Sequence, residues 1–211
     1  MQAPTIYVLA GVNGSGKSSI GGAILNQKEL PYYNPDMAAR KLRGMHPAMS
    51  QKIANAQAWS LGRDMLVASI EQRKNFAFET TLGGRTITSL LLKAADEGMR
   101  VTMWYAGLES VEMNIARVSA RVARGGHDIS EEDIRNRWKS SPRNLLLLLP
   151  KLSMFRLYDN SVQADPESGV PPEPRLLLAM DEGVVIGPED LSGAPEWAKP
   201  IIAAAVRTDA D

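Results

Sequence analysis

The stretch Thr-Ile-Tyr-Val-Leu-Ala-Gly-Val-Asn-Gly-Ser-Gly-Lys-Ser, residues 5–18, decides how this chain folds. Its first part, residues 5–10, is continuously apolar and β-favouring, which is typical of a strand buried on both faces of a parallel sheet. The last eight residues match the pattern G-x-x-x-x-G-K-[ST], in which backbone N–H groups bind phosphate oxygens. A strand, a glycine-rich loop and a helix in this order predict a nucleoside triphosphate site.

The residues of this loop have separate expected roles. Glycines let the backbone pass close to the phosphates, and the following helix adds its N-terminal dipole. Lys17 is expected to reach the β- and γ-phosphates of ATP, and the Ser18 hydroxyl to bind Mg²⁺. The residues predicted to bind the nucleotide here are Gly11, Asn13, Gly14, Ser15, Gly16, Lys17, Ser18 and Ser19.

The composition narrows the class of protein. The chain has 211 residues, 44% of them hydrophobic, which suffices for one globular domain with a buried core. Its 24 basic and 24 acidic residues cancel, which argues against nucleic acid or an anionic membrane as a partner. The absence of cysteine excludes disulfides and thiolate metal sites. No signal-peptide pattern and no bilayer-spanning apolar run are seen, so we expect a cytoplasmic location.

Strand-like and helical segments alternate along the chain. We therefore predict an α/β P-loop kinase fold, with a parallel five-stranded sheet flanked by helices and a C-terminal β-hairpin. Such a sheet binds its ligand at the carboxyl ends of the strands. Residues 1–165 are predicted to form the kinase core, with a helical lid around 110–140. The hairpin and a short helix, residues 166–211, are predicted to pack on that core and not to form a separate domain.

Some details of packing can also be predicted. Ser50, Ser110 and Ser130 each precede a helical pattern and are expected to cap it. The pair Ser141-Pro142 is expected to restart a helix, because proline is tolerated at a first helical position. Trp59, Trp104 and Trp138 are expected in the core. The apolar face of the helix after Ser50 is predicted to consist of Ile53, Ala54, Ala58, Leu61, Met65 and Ala68.

Two carboxylates fall at predicted strand ends. Asp36 follows the strand at 30–33, where it could accept the proton of a substrate hydroxyl or merely cap the next helix. Glu79 ends the strand Phe-Ala-Phe-Glu, where it could hold a Mg²⁺-bound water or a substrate hydroxyl, or cap a loop. If Glu79 holds either the water or the substrate hydroxyl, Thr80 and Thr81 would face the same crevice. Spacing alone leaves the alternatives open.

The helix after Ser110 carries a row of arginines. Arg117, Arg121 and Arg124 share one face, which in most helices is simply solvated. Here they lead into Gly125-Gly126, a hinge-like pair. Small kinases close such a lid over the transferring phosphate, and the rigid guanidinium fork matches phosphate oxygens. We therefore favour the lid.

Two other classes of function compete with a small-molecule kinase. The run ending in Asp181-Glu182 resembles an ATPase signature, although Gly183 and a second apolar run suit a hairpin better. It leaves open a non-kinase P-loop ATPase or nucleotide switch acting on a protein partner. A polynucleotide kinase would use the arginines of residues 117–143 against a nucleic-acid backbone, and the neutral net charge argues mildly against it.

Five segments together resemble the zeta-toxin family of P-loop kinases, especially its short single-domain bacterial members. The match spans residues 5 to about 161. Its pieces are Gly11–Ser18, Asn34-Pro35-Asp36 with His46-Pro47, Phe76–Leu82, Arg117–His127 and Leu157–Ser161.

The resemblance implies ATP-dependent phosphorylation of a small hydroxyl substrate, such as the amino-sugar moiety of UDP-N-acetylglucosamine. It also raises an antitoxin protein as a candidate partner, although toxicity does not follow from these residues. The residue roles that it implies are Asp36 as the catalytic aspartate, Glu79 and Thr81 on the substrate side, Arg85 as a substrate-binding arginine, Arg117 with Arg121 or Arg124 on phosphate, and Asn160 near the adenine.

Overall fold

The computed structural model describes residues 3–18, 20, 32–162 and 173–210. Within them, seven strands form one sheet in the order β2-β3-β1-β4-β5-β6-β7. The strands are β1 (Thr5–Ala10), β2 (Tyr32–Tyr33), β3 (Phe76–Thr80), β4 (Arg100–Gly107), β5 (Met154–Asp159), β6 (Arg175–Asp181) and β7 (Val184–Gly187).

The sheet is parallel from β2 to β5, which confirms the predicted α/β fold. The predicted hairpin is also confirmed as β6 and β7. The sheet has seven strands and not five, because β6 pairs antiparallel with β5 and the hairpin continues the same sheet.

Helices connect the strands and cover the sheet. Lys17, Ser18 and Ile20 are helical, and residues 19 and 21–31 lie outside the described part of the chain. No helix among the described residues is long and apolar enough to cross a membrane. The remaining α-helices are α1 (Pro35–Met45), α2 (Gln51–Glu71), α3 (Arg85–Asp96), α4 (Val111–Ala123), α5 (Glu131–Leu148) and α6 (Lys199–Ala210).

Serine caps begin three of these helices. The side chains of Ser50, Ser110 and Ser130 accept hydrogen bonds from backbone N–H groups in the first turns of α2, α4 and α5. Each satisfies one of the N–H groups that the start of a helix leaves unpaired. These three helix starts were therefore readable from the sequence.

The core is shared between the parallel sheet and the C-terminal segment. Leu178 of β6 and Ile201 of α6 belong to the same buried cluster as Val8 of β1 and Phe155 of β5. All four side chains are fully buried. The hairpin and α6 therefore bury apolar surface together with the strands that carry the glycine-rich loop.

The predicted apolar face of α2 is partly wrong. Ile53 and Leu61 are about half exposed, whereas Ala54 and Ala58 are fully buried. The two alanines pack with Ala39 of α1, so small residues let the two helices approach closely. On this helix the face that packs against α1 therefore consists of small side chains, and the larger Ile53 and Leu61 stay partly exposed.

The prediction that Ser141-Pro142 restarts a helix is also wrong. Helix α5 is continuous from Glu131 to Leu148 with Pro142 inside it. Ile134 before the proline and Leu145 after it are both buried, so packing holds both halves of the helix in place. The Ser141 hydroxyl, also buried, lies 2.9 Å from the Tyr105 hydroxyl.

The five parallel strands place their carboxyl ends at one edge of the sheet. Strand β1 leads there into the glycine-rich loop, β2 into Asn34 and Asp36, β3 into Thr81, and β5 into Asn160. This common edge brings residues from distant parts of the chain together, as expected for parallel α/β sheets.

Candidate active site

The glycine-rich loop wraps around its own lysine. The Lys17 ammonium donates hydrogen bonds to the carbonyl oxygens of Gly11 at 2.9 Å and Val12 at 3.3 Å. It also lies 3.5 Å from Glu79 Oε1, and its side chain is buried. The ammonium has three N–H donors, so a phosphate oxygen bound by the loop would replace one of these three partners.

Three loop glycines adopt backbone conformations with positive φ. A Cβ atom on Gly11 would lie 2.2 Å from the carbonyl oxygen of Ala106, and one on Gly16 would lie 2.0 Å from Asn160 Nδ2. The loop is therefore pressed against the ends of β4 and β5. Only glycine allows both the conformation and this close approach.

We expect Gly16→Ala to weaken ATP binding by about 5- to 150-fold, the cost of losing one buried hydrogen bond. Asn160 Nδ2 donates to the Ser15 carbonyl oxygen at 2.9 Å and would have to give up that bond. Gly98→Ala is the matched control, because Gly98 also has positive φ but has no atom within 4 Å of an added Cβ. Calorimetric titration with ATP distinguishes the two, and equal affinities would contradict this account of the loop.

Glu79 is at the centre of a polar network beside the loop. Its Oε2 accepts hydrogen bonds from the Tyr32 hydroxyl at 2.7 Å and from Asn34 Nδ2 at 2.8 Å. The Ser18 hydroxyl donates to the same oxygen at 3.4 Å. The described contacts of Glu79 are therefore with side chains of the loop and of the segment at Tyr32–Asn34.

The oxygens of Ser18 and Glu79 fit the chemistry of Mg²⁺, which prefers hard oxygen ligands. The described residues contain no cluster of three or more His, Cys, Asp or Glu that could hold a metal ion. A magnesium ion at these two side chains would therefore depend on phosphate oxygens and water for its other ligands.

Tyr32 and Asn34 were not predicted as site residues. Burial, together with the negative charge of Glu79, raises the pKa of the Tyr32 hydroxyl well above its ordinary value. Tyr32 therefore stays protonated and donates to Glu79. A two-residue strand carries little pattern, so nothing in the sequence pointed to Tyr32.

Asp36 lies in the first turn of α1 but does not cap it. The cap is Asn34, whose Oδ1 accepts the hydrogen bond from Met37 N at 3.1 Å. The Asp36 carboxylate instead faces the lid helix α4, with its Oδ2 3.6 Å from Arg121 Nη1. Of the two interpretations left open by the sequence, the structure rules out the cap.

The three arginines of the predicted lid differ in their surroundings. Arg121 also donates to the His127 carbonyl oxygen at 2.8 Å, which ties the glycine pair to α4. Arg117 donates to the carbonyl oxygen of Asn160 at 2.8 Å, and partial burial lowers its pKa. Arg124 is exposed and borders an open groove with Arg117, Arg121 and Arg40. Arg121 is thus the lid arginine that faces Asp36.

A cleft opens beside the loop and holds most of the predicted substrate side. Lys17, Asp36, Glu79, Thr80 and Thr81 all line it. The structure thereby brings together residues that lie up to 64 positions apart in the chain (17 to 81).

The arginine that lines the cleft is not the one that the sequence predicted. Arg85 is exposed at the start of α3 and does not line the cleft, although its neighbours Gly84 and Thr86 do. Arg137 of α5 lines the cleft instead and donates to Asn13 Oδ1 at 2.7 Å. Nothing in the periodicity of α5 singled out Arg137 from its other charged residues.

Trp59 contradicts the expectation that it packs in the core. Trp104 is buried, and Trp138 packs on a small apolar cluster beside the loop. Trp59, by contrast, is 45% exposed and lines the cleft.

Helix α2 also contacts the segment that follows α4. One turn before Trp59, Asn55 Nδ2 lies 3.2 Å from His127 Nε2.

The other predicted residues, Ser19 and the pair Asp181-Glu182, do not contribute to the described site. Ser19 lies outside the described residues. Asp181 pairs in register with Met154, the first residue of β5, and therefore lies at the edge of the sheet opposite the glycine-rich loop. Glu182 forms an ion pair with Arg100 at that same far edge. In this position neither carboxylate can reach the nucleotide site, which argues against the ATPase interpretation.

Comparison with known proteins finds one matching family model and a related bacterial protein. A family model described as Zeta toxin matches residues 1–145. An uncharacterized protein of Haemophilus influenzae is 32% identical over 139 residues, which cover 65% of this chain and 94% of that protein.

Solved structures share the fold at low sequence identity. A chain of the AvrRxo1-ORF1:-ORF2 complex with ATP aligns with a TM-score of 0.67 at 14% identity, over 96% of this chain and 63% of that one. This chain thus spans less than two thirds of that protein. A chain of the PezAT toxin-antitoxin system of Streptococcus pneumoniae aligns with a TM-score of 0.54 at 14% identity, over 75% of this chain and 69% of that one. At these identities the likeness is one of fold.

Proposed function

Since this chain belongs to the zeta-toxin family, we propose that it transfers the γ-phosphoryl group of ATP to a hydroxyl of a small molecule. The family supports a kinase-type phosphotransferase. The acceptor is the finer part of the proposal, and a nucleotide sugar such as UDP-N-acetylglucosamine is the first candidate.

The observation that carries the proposal is the pairing of Asp36, which lines the cleft beside the loop, with Arg121 of α4. Asp36 Oδ2 and Arg121 Nη1 are 3.6 Å apart, and both side chains are partly exposed. A carboxylate that can accept a proton therefore lies beside a guanidinium that can stabilise phosphoryl charge. Phosphoryl transfer to a hydroxyl needs both groups at one place.

Each residue then has a defined task. Lys17 and the backbone N–H groups of the loop bind the phosphates of the donor. Asp36 orients the acceptor hydroxyl and takes its proton as the oxygen attacks phosphorus. Arg121 and Arg117 hold the transferring group and exclude water when the lid closes. Glu79 is fixed by Tyr32 and Asn34, which keeps it in one orientation beside Ser18.

Ser18 and Glu79 are the side chains that would hold Mg²⁺, because their oxygens lie 3.4 Å apart beside the loop. When bound, the ion neutralises charge on the donor phosphates. The division of roles is then a donor side, formed by the loop, and an acceptor side, formed by the ends of β2 and β3.

The proposal is tested by incubating the protein with γ-labelled ATP, Mg²⁺ and a panel of hydroxyl-bearing metabolites that includes UDP-N-acetylglucosamine. We expect label to appear in an acceptor, and chromatography with mass spectrometry identifies it. Release of label only as free phosphate, stimulated by a protein and by no metabolite, would instead support the nucleotide switch.

An antitoxin protein is part of the proposal as a partner. The PezAT structure, which shares the fold, is a toxin-antitoxin system. Co-purification with the product of an adjacent reading frame would support this partner, and unimpeded growth during expression of the chain alone would count against the need for one.

A further inference from the structure

A separate cavity of about 130 Å³ lies against the glycine-rich loop. It shares no lining residue with the cleft that holds Asp36 and Glu79. Val12 and Ser15 of the loop form one part of its wall, and residues of β4, α4, α5 and the segment before α6 form the rest. None of the residues that line it is charged. The proposed reaction gives none of their side chains a task.

Three buried polar atoms around this cavity lack a hydrogen-bond partner in the described part of the chain. They are Ser15 Oγ, Asn114 Oδ1 and Trp197 Nε1, and all three residues line the cavity. Ser15 is 1% exposed and Asn114 is fully buried, so bulk water does not reach them. Unpaired buried polar groups are rare in folded proteins because each one costs free energy. Their gathering around one cavity indicates that a partner binds there.

Helix α5 adds a backbone acceptor to the same wall. Pro142 lies inside this helix and lines the cavity, as does Trp138 four residues earlier. Within an α-helix the N–H of each residue donates to the carbonyl oxygen four residues earlier, and proline has no N–H. The Trp138 carbonyl oxygen therefore lacks its helical donor beside the cavity.

The unpaired groups are held in fixed positions. Asn114 Nδ2 donates to the Asn13 carbonyl oxygen at 2.6 Å, which identifies Oδ1 as the free acceptor. The Trp197 ring packs on Gly107 so closely that a Cβ on this glycine would lie 2.2 Å from Trp197 Cη2. Groups that are fixed before a ligand arrives lower the entropy cost of binding it.

The size and chemistry of the cavity define the class of ligand. A cavity of about 150 Å³ holds benzene, so this one suits a molecule of about one ring. Its uncharged wall favours a neutral molecule, because a buried charge is costly without a charged partner. Asn114 Oδ1 and the Trp138 carbonyl oxygen only accept hydrogen bonds, whereas Trp197 Nε1 only donates. The ligand must therefore offer both a donor and an acceptor.

We infer that this cavity is a binding site for a small neutral ring compound that carries both a hydrogen-bond donor and an acceptor, as a lactam does. Ser15 and Asn114 belong to its wall, so the bound molecule contacts the glycine-rich loop from outside the cleft. The site is distinct from the cleft, and the inference does not rest on the proposed function.

The test uses 2-pyridone, a neutral six-membered lactam with one N–H donor and one carbonyl acceptor. Benzene is the comparison, because it has the same ring size and neither group. Each is titrated into wild type, Trp197→Phe and Trp104→Phe, and dissociation constants are taken from NMR chemical-shift changes. Trp197→Phe removes the N–H and keeps an aromatic ring. Trp104→Phe is the matched control, because Trp104 is buried but does not line the cavity.

We expect Trp197→Phe to weaken 2-pyridone binding about 5- to 150-fold, the cost of losing one buried hydrogen bond. Benzene should bind Trp197→Phe no more weakly than wild type, and Trp104→Phe should match wild type for both probes. Failure of wild type to bind 2-pyridone, or an equal loss of both probes in Trp197→Phe, would overturn the inference.

Two further measurements decide the matter if melting temperatures show that Trp197→Phe does not fold. A crystal structure of wild type with 2-pyridone should show the probe in the cavity, and ordered water alone in that place would overturn the inference. Binding of 2-pyridone should also persist when a non-hydrolysable ATP analogue saturates the loop, whereas competition would place the probe in the nucleotide site instead. Phosphoryl transfer by a protein that binds no 2-pyridone would leave the proposed function standing.

Discussion

Asp36→Asn should reduce phosphoryl transfer by about 10²- to 10⁴-fold, the range that a positioned general base contributes. The amide has nearly the same shape as the carboxylate but cannot take the proton of the acceptor hydroxyl. Binding of ATP should change little, because Asp36 belongs to α1 and not to the glycine-rich loop. Initial rates of label transfer and calorimetric titration with ATP measure the two effects.

The substitution is designed to leave the fold intact. The cap of α1 is Asn34, so Asp36→Asn does not remove the hydrogen bond that begins this helix. Asp96→Asn is the control for loss of one surface charge, since Asp96 pairs only with Lys151 among the described residues, at the end of α3. An undiminished transfer rate in Asp36→Asn would show that the proton goes elsewhere.

Arg121→Ala should lower the transfer rate about 10³-fold or more, as loss of an arginine that stabilises transferring phosphate does. Arg121 is the lid arginine that lies 3.6 Å from Asp36. Arg121→Lys should recover only part of the rate, because an ammonium lacks the planar fork that matches two phosphate oxygens.

Arg124→Ala is the matched control for Arg121. Both residues lie at the C-terminal end of α4 and border the same open groove, but of the two it is Arg121 whose ion pair with Asp36 the structure describes. We expect its rate to stay within about tenfold of wild type, since an exposed charge contributes mainly to long-range attraction. A larger loss in Arg124→Ala than in Arg121→Ala would exchange the two assignments.

Because Arg121 also holds the His127 carbonyl oxygen, its removal could loosen the turn after α4. Thermal melting of Arg121→Ala separates the two effects. A melting temperature near that of wild type together with the rate loss supports a role in transfer, whereas a large drop attributes the loss to the turn.

The sequence alone was sufficient for the donor side of the site. Residues 5–18 combine a continuous apolar strand with a glycine-rich loop, and both signals are local, so neighbouring residues determine them without tertiary contacts. The serine caps of α2, α4 and α5 are local in the same sense. The order of strands and helices then implied a parallel sheet and placed Asp36 and Glu79 at its carboxyl edge.

The cleft beside the loop depends on contacts between distant segments. Tyr32 reaches Glu79 across 47 positions, and Arg137 reaches Asn13 across 124. No periodicity encodes such pairs, because they arise only when β2 lies beside β3 and α5 packs over the loop. The sequence could not choose between Arg121 and Arg124 as the arginine beside Asp36, because that contact also depends on tertiary packing.

The errors on α2 share one physical cause. Ile53, Leu61 and Trp59 were expected on buried surfaces, whereas packing of Ala54 and Ala58 against α1 leaves Ile53 and Leu61 about half exposed and Trp59 at the cleft. What the sequence by itself determined is the phosphate-binding loop, since a local backbone shape suffices to bind phosphate. What only the tertiary structure decided is which side chains line the cleft, because helix rotation and strand order depend on packing summed over the whole chain.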